Sequence, residues 1–341
     1  MNDHQHTLSR RSMLAGTAAA VACAAVPRGA RAATVLKFSH TDTPVGARQQ
    51  AADLFAKKVG EYTAGRYEVQ VFSSGQLAND PKSLEMLQLG GLDFAVTATG
   101  TYATFAKTMN LTALPYLVES YDQGWRLYDE SKYLREQFEL LPPKGMRIIA
   151  TWEAGFRSFT TKGSLSSPAE AKGQKIRIYP NDMLRWIMES FGFNPIVLPV
   201  TEVYLAISQG TVWGQENPVD TIYSQRFYEV AKYLTLTQHV YSPIPLAISE
   251  GTWQKLSATD RDAVVRAAKE AAALSRKTVR ANDGKQLDEM KAKGAVVTAP
   301  NVAPFRNAAL PVYDKARGVY GKDVDTLLAE SDAIRKGSKR T

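Results

Sequence analysis

The segment 34–97, TVLKFSHTDTPVGARQQAADLFAKKVGEYTAGRYEVQVFSSGQLANDPKSLEMLQLGGLDFAVT, switches between two periodicities. Thr34–His40 reads as a strand, with Val35 and Leu36 near its start. Ala47–Tyr62 reads as a helix, because Ala51, Leu54, Phe55 and Val59 recur at spacings of three and four; Gly65 breaks it. Arg66–Phe72 alternates, with Tyr67, Val69 and Val71 on one face, which is a strand pattern. Pro81–Leu89 is a short helix ended by Gly90 and Gly91, and Asp93–Thr97 a buried strand. The order β-α-β-α-β predicts a parallel sheet with helices on its faces, an α/β fold.

The pattern then restarts. Met146–Thr151 and Lys175–Tyr179 read as strands. Asn181 or Asp182 caps a helix whose apolar face is Leu184, Ile187, Met188 and Phe191, closed by Gly192. Pro195–Leu198 is strand-like, and Thr201 is placed to cap a helix Glu202–Gln209 before Gly210. Two such units predict two α/β domains with a cleft between them. The expected division is 33–154 with 243–282, against 155–242 with 283–341. Ser257-Ala-Thr-Asp260 is a capping-box variant that opens a helical pattern running to Lys293. That is about 36 residues, or roughly 54 Å. Either two helices break near Asn282-Asp283-Gly284, or one long helix braces both domains.

The 341-residue chain begins with an expected export signal, residues 1–32. Ser9-Arg10-Arg11 precedes an apolar run from Met13 to Val26, and Ala30-Arg31-Ala32 is a small-x-small cleavage site. The paired arginines point to the twin-arginine route, with a Sec signal as the alternative. The run is short of the ~20 apolar residues a membrane span needs. Without these residues, which hold four of the 42 Lys+Arg and one of the 34 Asp+Glu, the net charge falls from +8 to +5. No basic stripe interleaves with aromatics, and the cluster Lys336–Arg340 reads as a solvated tail, so nucleic acid is not an expected partner. Cys23, the single cysteine, lies inside the signal; lipid attachment there lacks the usual large aliphatic residue three places upstream.

Catalytic signatures are sparse. Only His40 and His239 follow the signal, and there is no nucleophile elbow, phosphate loop or zinc spacing. No metal or cofactor is expected. Arg157 sits between aromatics in GFRSFT, and Arg177 alternates with Ile176 and Ile178 in KIRI. Both lie near strand ends, where open α/β sheets bind ligands, and a guanidinium holds a carboxylate by two parallel hydrogen bonds. Each also has an ordinary reading as a solvated or paired side chain. Trp152 either packs in the core or stacks on a sugar face. Glu153 either accepts hydroxyl hydrogen bonds or pairs with a base. His40 ends the first strand as a structural or a ligand-contacting residue, and the turn Ser73–Gln76 can offer backbone N–H groups.

Seven segments, LKFSH at 36–40, GQL at 75–77, GFRSFTTKG at 155–163, KIRI at 175–178, EVYLAISQG at 202–210, GQENP at 214–218 and FYEVAKYL at 227–234, together resemble the extracytoplasmic solute receptors of TRAP transporters, the DctP type. The resemblance implies a periplasmic-binding-protein-like fold, two α/β domains closed around a ligand and braced by a long helix. It implies an organic acid as ligand, a membrane permease as partner, a periplasmic location, no enzymatic activity and no membrane insertion once the signal is removed. The family's ligand-clamping arginine falls at Arg177, a second arginine at Arg157, and the ligand-contacting asparagine at Asn217. Glu216 and His239 match positions behind them that order cleft water. Sialic-acid receptors carry an acid where this chain has Ala98 and a basic residue near Thr101, which argues against that ligand. Trp152–Arg157, with His40-Thr41-Asp42 and Asn217, looks most like receptors for hexuronates such as glucuronate and galacturonate.

The expected contacts are therefore Arg177, Arg157, Asn217, Glu153, Trp152, His40, Gln76, Asn181, Thr41 and Thr99. Within GQENPVD (214–220), Asn217 is expected to face the ligand and Glu216 to hold water, with Gln215 on a loop surface and Pro218 starting a helix. Two other functions fit the sequence: an exported sugar-acid lyase or isomerase using Glu153 and His239 as acid and base, and a sensory receptor for a membrane kinase.

Overall fold

The computed structural model describes residues 32–338; the export signal up to Arg31, with the Cys23 alternative, and the end of the basic tail lie outside them. Strands β1 (Thr34–Ser39), β2 (Tyr67–Phe72) and β3 (Phe94–Val96) pair in parallel, with β1 in the middle and the helices Ala47–Tyr62 and Asp80–Gln88 as the connections. The second unit repeats the arrangement: β5 (Lys175–Ile178) lies between β6 (Asn194–Val197) and β7 (Gly214–Pro218), all parallel. Asn181 caps the intervening helix Asp182–Ser190 by accepting from the Leu184 N–H at 2.9 Å. Thr201 does not cap its helix; it lies in a 3₁₀ turn, Val200–Glu202, that leads into Val203–Ser208 without a side-chain cap.

The two parallel groups are joined by two long strands that periodicity did not expose. β4 runs from Met146 to Thr161, ten residues beyond the expected end, and β8 spans Tyr233–Ser249. They pair antiparallel with each other; β8 adds β3 on one side, and β4 adds β7 on the other. The strand order is β2-β1-β3-β8-β4-β7-β5-β6, with β9 (Val296–Thr298) pairing the start of β8. The sheet is therefore mixed, not wholly parallel. β8 escaped notice because Pro243 and Pro245 argue against a central strand. Between Thr235 and Leu246, however, β8 pairs only with β4, so no ladder on its other side needs their missing N–H groups. The Pro243 and Pro245 carbonyls instead accept from Thr99 Oγ1 at 3.0 Å and the Tyr102 hydroxyl at 3.2 Å.

Apolar side chains group around each parallel unit. Phe38, Phe55, Phe94 and Trp152 meet edge to face in the first lobe, with ring centroids 5.0–6.2 Å apart. Phe159, Ile176, Leu184 and Phe305 form a cluster in the second, into which Leu111–Leu134 pack from the first. One unbroken helix, Ala258–Ala292, packs on both lobes. Ala267, Ala268 and Ala271 let it approach the first-lobe core closely, and Met290 enters a cluster with Val219 and Ile222. Ser257 caps it, accepting from the Asp260 N–H at 3.1 Å. No break occurs at Asn282-Asp283-Gly284. Among the described residues no helix is long and apolar enough to cross a membrane.

Where β4 passes from one core to the other it kinks. Gly155 has φ +108°, and its register against β8 shifts between Glu153 and Phe156. A side chain at Gly155 would be strained at that φ and would sit 3.1 Å from the Tyr121 hydroxyl oxygen. Glu153 fastens the kink. Its buried carboxylate accepts from the N–H groups of Ala154 (3.0 Å) and Gly155 (2.7 Å), from Trp125 Nε1 (2.8 Å) and from the Tyr241 hydroxyl (2.5 Å). Its backbone exchanges two 3.1 Å hydrogen bonds with Ser275 of the long helix. Burial pushes the Glu153 carboxyl up to about 7, against the pull of these donors. Trp152 is core: its indole N–H donates to the Ala268 carbonyl at 3.3 Å.

Both features can be measured. Gly284 lies inside the long helix, and nothing stands within 4 Å of the place a Cβ would take there. Gly284→Ala should raise the urea midpoint by an amount worth about 0.4–1 kcal/mol with unchanged m; a loss of stability would mean the helix is broken there. For Glu153, the folded carboxyl titrates near 7 and the unfolded one near 4.5, so the folded state binds the extra proton between them. Stability relative to Glu153→Gln should be highest below pH 4.5 and fall by on the order of 3 kcal/mol as pH rises through 7. Parallel pH profiles for the two proteins would exclude this assignment.

Candidate functional site

The carboxyl ends of β1, β3, β5 and β7 converge where the two lobes meet, the position at which α/β sheets bind ligands. They enclose a cavity of about 30 Å³, lined by Thr41, Asp42, Arg48, Asp80, Ala98, Arg157, Arg177, Tyr179, Asn217, Gln225 and Ser242, among others. That is room for about two water molecules. The lobes touch around it: Ser224 Oγ donates to Asp42 at 2.7 Å, Gln225 Nε2 to the Thr41 carbonyl at 3.0 Å, and the Ala47 N–H to Asp220 at 3.4 Å.

β7 explains the run GQENP. All five residues are buried, because β7 lies between β4 and β5. Gln215 is thus not loop surface: its amide donates to Thr160 Oγ1 at 2.6 Å and accepts from Asn217 Nδ2 at 2.5 Å. Glu216 grips Arg157 with both oxygens, at 2.5 Å to Nε and 2.7 Å to Nη2. Arg157 also donates to the Glu216 carbonyl (2.6 Å), Asn217 Oδ1 (3.0 Å) and Ser242 Oγ (3.2 Å), and lies 5.2 Å from the Tyr179 ring centre. His239 stacks on Phe159 at 4.6 Å between centroids. Burial holds its pKa below the ordinary value, so the neutral ring donates Nε2–H to Glu216 (3.3 Å) and accepts the Thr237 hydroxyl at Nδ1 (2.8 Å). For Glu216, burial raises the pKa, but Arg157 and His239 outweigh it and the carboxyl stays ionised.

Arg177 is different. It is only 2% exposed, yet among the described residues its one side-chain hydrogen bond is from Nε to the Leu198 carbonyl at 2.8 Å. No carboxylate pairs with it among the described residues, and burial lowers its pKa to about 10. Its two Nη groups are open beside the cavity.

Of the ten expected contacts, Arg177, Arg157, Asn217 and Thr41 line the cavity. Six do not. Trp152 and Glu153 belong to the core and the β4 kink. His40 is buried against Phe38 with Nε2 3.0 Å from Gln49 Oε1, and burial drops its pKa to about 3, leaving it neutral. Asn181 spends its amide on Leu184, Gly100 and Asn110; Thr99 donates to Pro243; Gln76 is exposed. Sequence reasoning missed Arg48 and Asp80. Arg48 had one legible signal: a cation in the first turn of a helix opposes the macrodipole and needs a reason to be there.

Comparison with known proteins is consistent with this geometry. The family model for bacterial extracellular solute-binding protein, family 7 (DctP) matches residues 38–318. The sialic acid-binding periplasmic protein SiaP of Vibrio cholerae is 32% identical over 300 residues, covering 87% of this chain and 93% of the relative. A TRAP periplasmic solute-binding protein from Polaromonas sp. JS666, bound to D-erythronate, superposes with a TM-score of 0.84 at 30% identity, covering 87% of this chain and 98% of the other. One from Sulfitobacter sp. NAS-14.1 with bound β-D-galacturonate gives 0.84 at 27% identity, over 88% and 100%. The cleft between two α/β lobes, the long brace and these matches have one explanation: the chain belongs to the DctP family of TRAP-transporter solute-binding proteins.

Proposed function

We propose that this protein is the periplasmic receptor of a TRAP-type transporter, which captures an organic acid through an Arg177–carboxylate clamp and delivers it to the membrane permease. The carrying observation is the buried Arg177 guanidinium with two open Nη groups and no paired carboxylate. A buried cation without a partner is costly, and a bidentate carboxylate matches its planar fork. Arg157 is already held by Glu216, so its role is to position Asn217 and support the cleft wall. The first candidate ligand is a hexuronate, glucuronate or galacturonate, in line with the galacturonate-bound relative.

A hexuronate exceeds a cavity of about 30 Å³, so it must enter an opened cleft. We place the hinge where β4 kinks at Gly155 and where β8 loses its second neighbour near Pro243, with the lobes as 33–154 plus 243–282 and 155–242 plus 283–341. Ligand binding then favours the closed arrangement by its differential affinity for the two states. The alternative of acid–base catalysis by Glu153 and His239 has no geometric support, because neither side chain lines the cavity.

Calorimetric titration of purified protein with glucuronate and galacturonate tests the ligand, and Arg177→Ala tests the clamp. The substitution should weaken binding by about 2–5 kcal/mol, the range for removing one partner of a buried charge pair. Near-native affinity in the variant would remove the clamp; no heat and no melting shift with either uronate would remove the hexuronate.

A further inference from the structure

Two other cavity-lining groups have hydrogen-bonding capacity that the fold leaves unused. Arg48 reaches Thr41 Oγ1 from Nη1 at 3.3 Å, but its buried Nε has no partner among the described residues. Asp80 accepts one side-chain hydrogen bond, from the Thr41 hydroxyl at 2.9 Å, and forms no ion pair within 4.0 Å among the described residues. Thr41 thus links an unsatisfied donor to an unsatisfied acceptor. Burial leaves the Asp80 pKa above its ordinary value, although Arg48, the Thr41 hydrogen bond and Arg177 pull it back. Asp80 therefore shares the cavity electrostatically with both free guanidiniums. Asp42, the other acid in the lining, is already engaged by Thr43 N–H and Ser224.

A ligand that satisfies this pair must donate to Asp80 and accept from Arg48. A methylene can do neither. A second carboxylate can accept from Arg48 but has no proton to donate to Asp80. A hydroxyl does both. We infer that Arg48 and Asp80, bridged by Thr41, form a hydroxyl-reading pair that selects hydroxylated monocarboxylates over unsubstituted acids and plain dicarboxylates. The inference rests on the carboxylate-receptor reading above. It names what discriminates among carboxylates once Arg177 has bound one.

The test uses skeleton-matched probes in calorimetric titrations: galacturonate against tetrahydropyran-2-carboxylate, and erythronate against butyrate and succinate. Wild type should bind the better hydroxylated probe at least about a hundredfold more tightly than its unsubstituted partner, since sites built around a hydroxyl reject analogues lacking one. Asp80→Ala should erase most of that preference, weakening the hydroxylated probe while leaving the unsubstituted acid unchanged or tighter. Asp80→Asn, which keeps the shape, should fall between them, and urea unfolding of each variant checks that it folds. Equal weakening of both members of a pair, or wild-type protein binding succinate as well as erythronate, would overturn the hydroxyl-reading role while the clamp stands. Wild-type protein binding none of the carboxylates would overturn the receptor reading and this one together.

Discussion

Two guanidinium groups are buried side by side in the cleft, and the fold supplies a bonded carboxylate for only one of them. That imbalance organises the site. Arg157 is neutralised by Glu216, and Glu216 is kept ionised by Arg157 together with the neutral His239 behind it. His239 is in turn fixed by Phe159 below and Thr237 beside it. A satisfied network of this kind is rigid, because removing any member leaves a buried charge or dipole unmatched. Arg177 stands at the edge of that rigid wall with its charge unmatched. The cleft is therefore neutralised on one side and carries an unmatched cation on the other.

The wall is built on β4 and β8, which run through both lobes, and on β7 beside β4. β4 supplies Arg157, β7 supplies Glu216 and Asn217, and β8 supplies His239 and Ser242. The same β4 carries the kink at Gly155 that Glu153 fastens. Arg157 and the kink thus share one strand, two residues apart. Glu153 was expected to read the ligand; it instead holds the backbone whose geometry aims Arg157.

Apart from β7, whose polar run reads as a loop, the parallel units were legible from periodicity because most strands there are short and alternate with amphipathic helices. The long strands were not. β4 is interrupted by a glycine at positive φ, and β8 contains two prolines; local rules read both as ends. Tertiary pairing overrides those rules by leaving one side of β8 without a partner strand. Arg177 and Arg157 were legible as guanidiniums near strand ends, and Asn217 through the family resemblance alone; all three line the cavity. Asp80 was not, because an acid in the first turn of a helix is ordinary. Gln215 was misread because consecutive polar residues suggest surface, whereas here each amide answers a neighbour inside the sheet.

The interleaving of the chain has a consequence for how the protein is made. The first lobe needs β8, whose pairing with β3 begins at Leu246, and the alanines of the long helix, up to Ala272. The second needs Phe305 and the helix Ala303–Tyr320. Neither lobe can be completed from the leading part of the chain, so folding cannot proceed lobe by lobe during synthesis as it does in chains with contiguous domains. Contacts this distant in sequence also make for slow folding. A chain emerging amino end first must stay unfinished until nearly all of it is available.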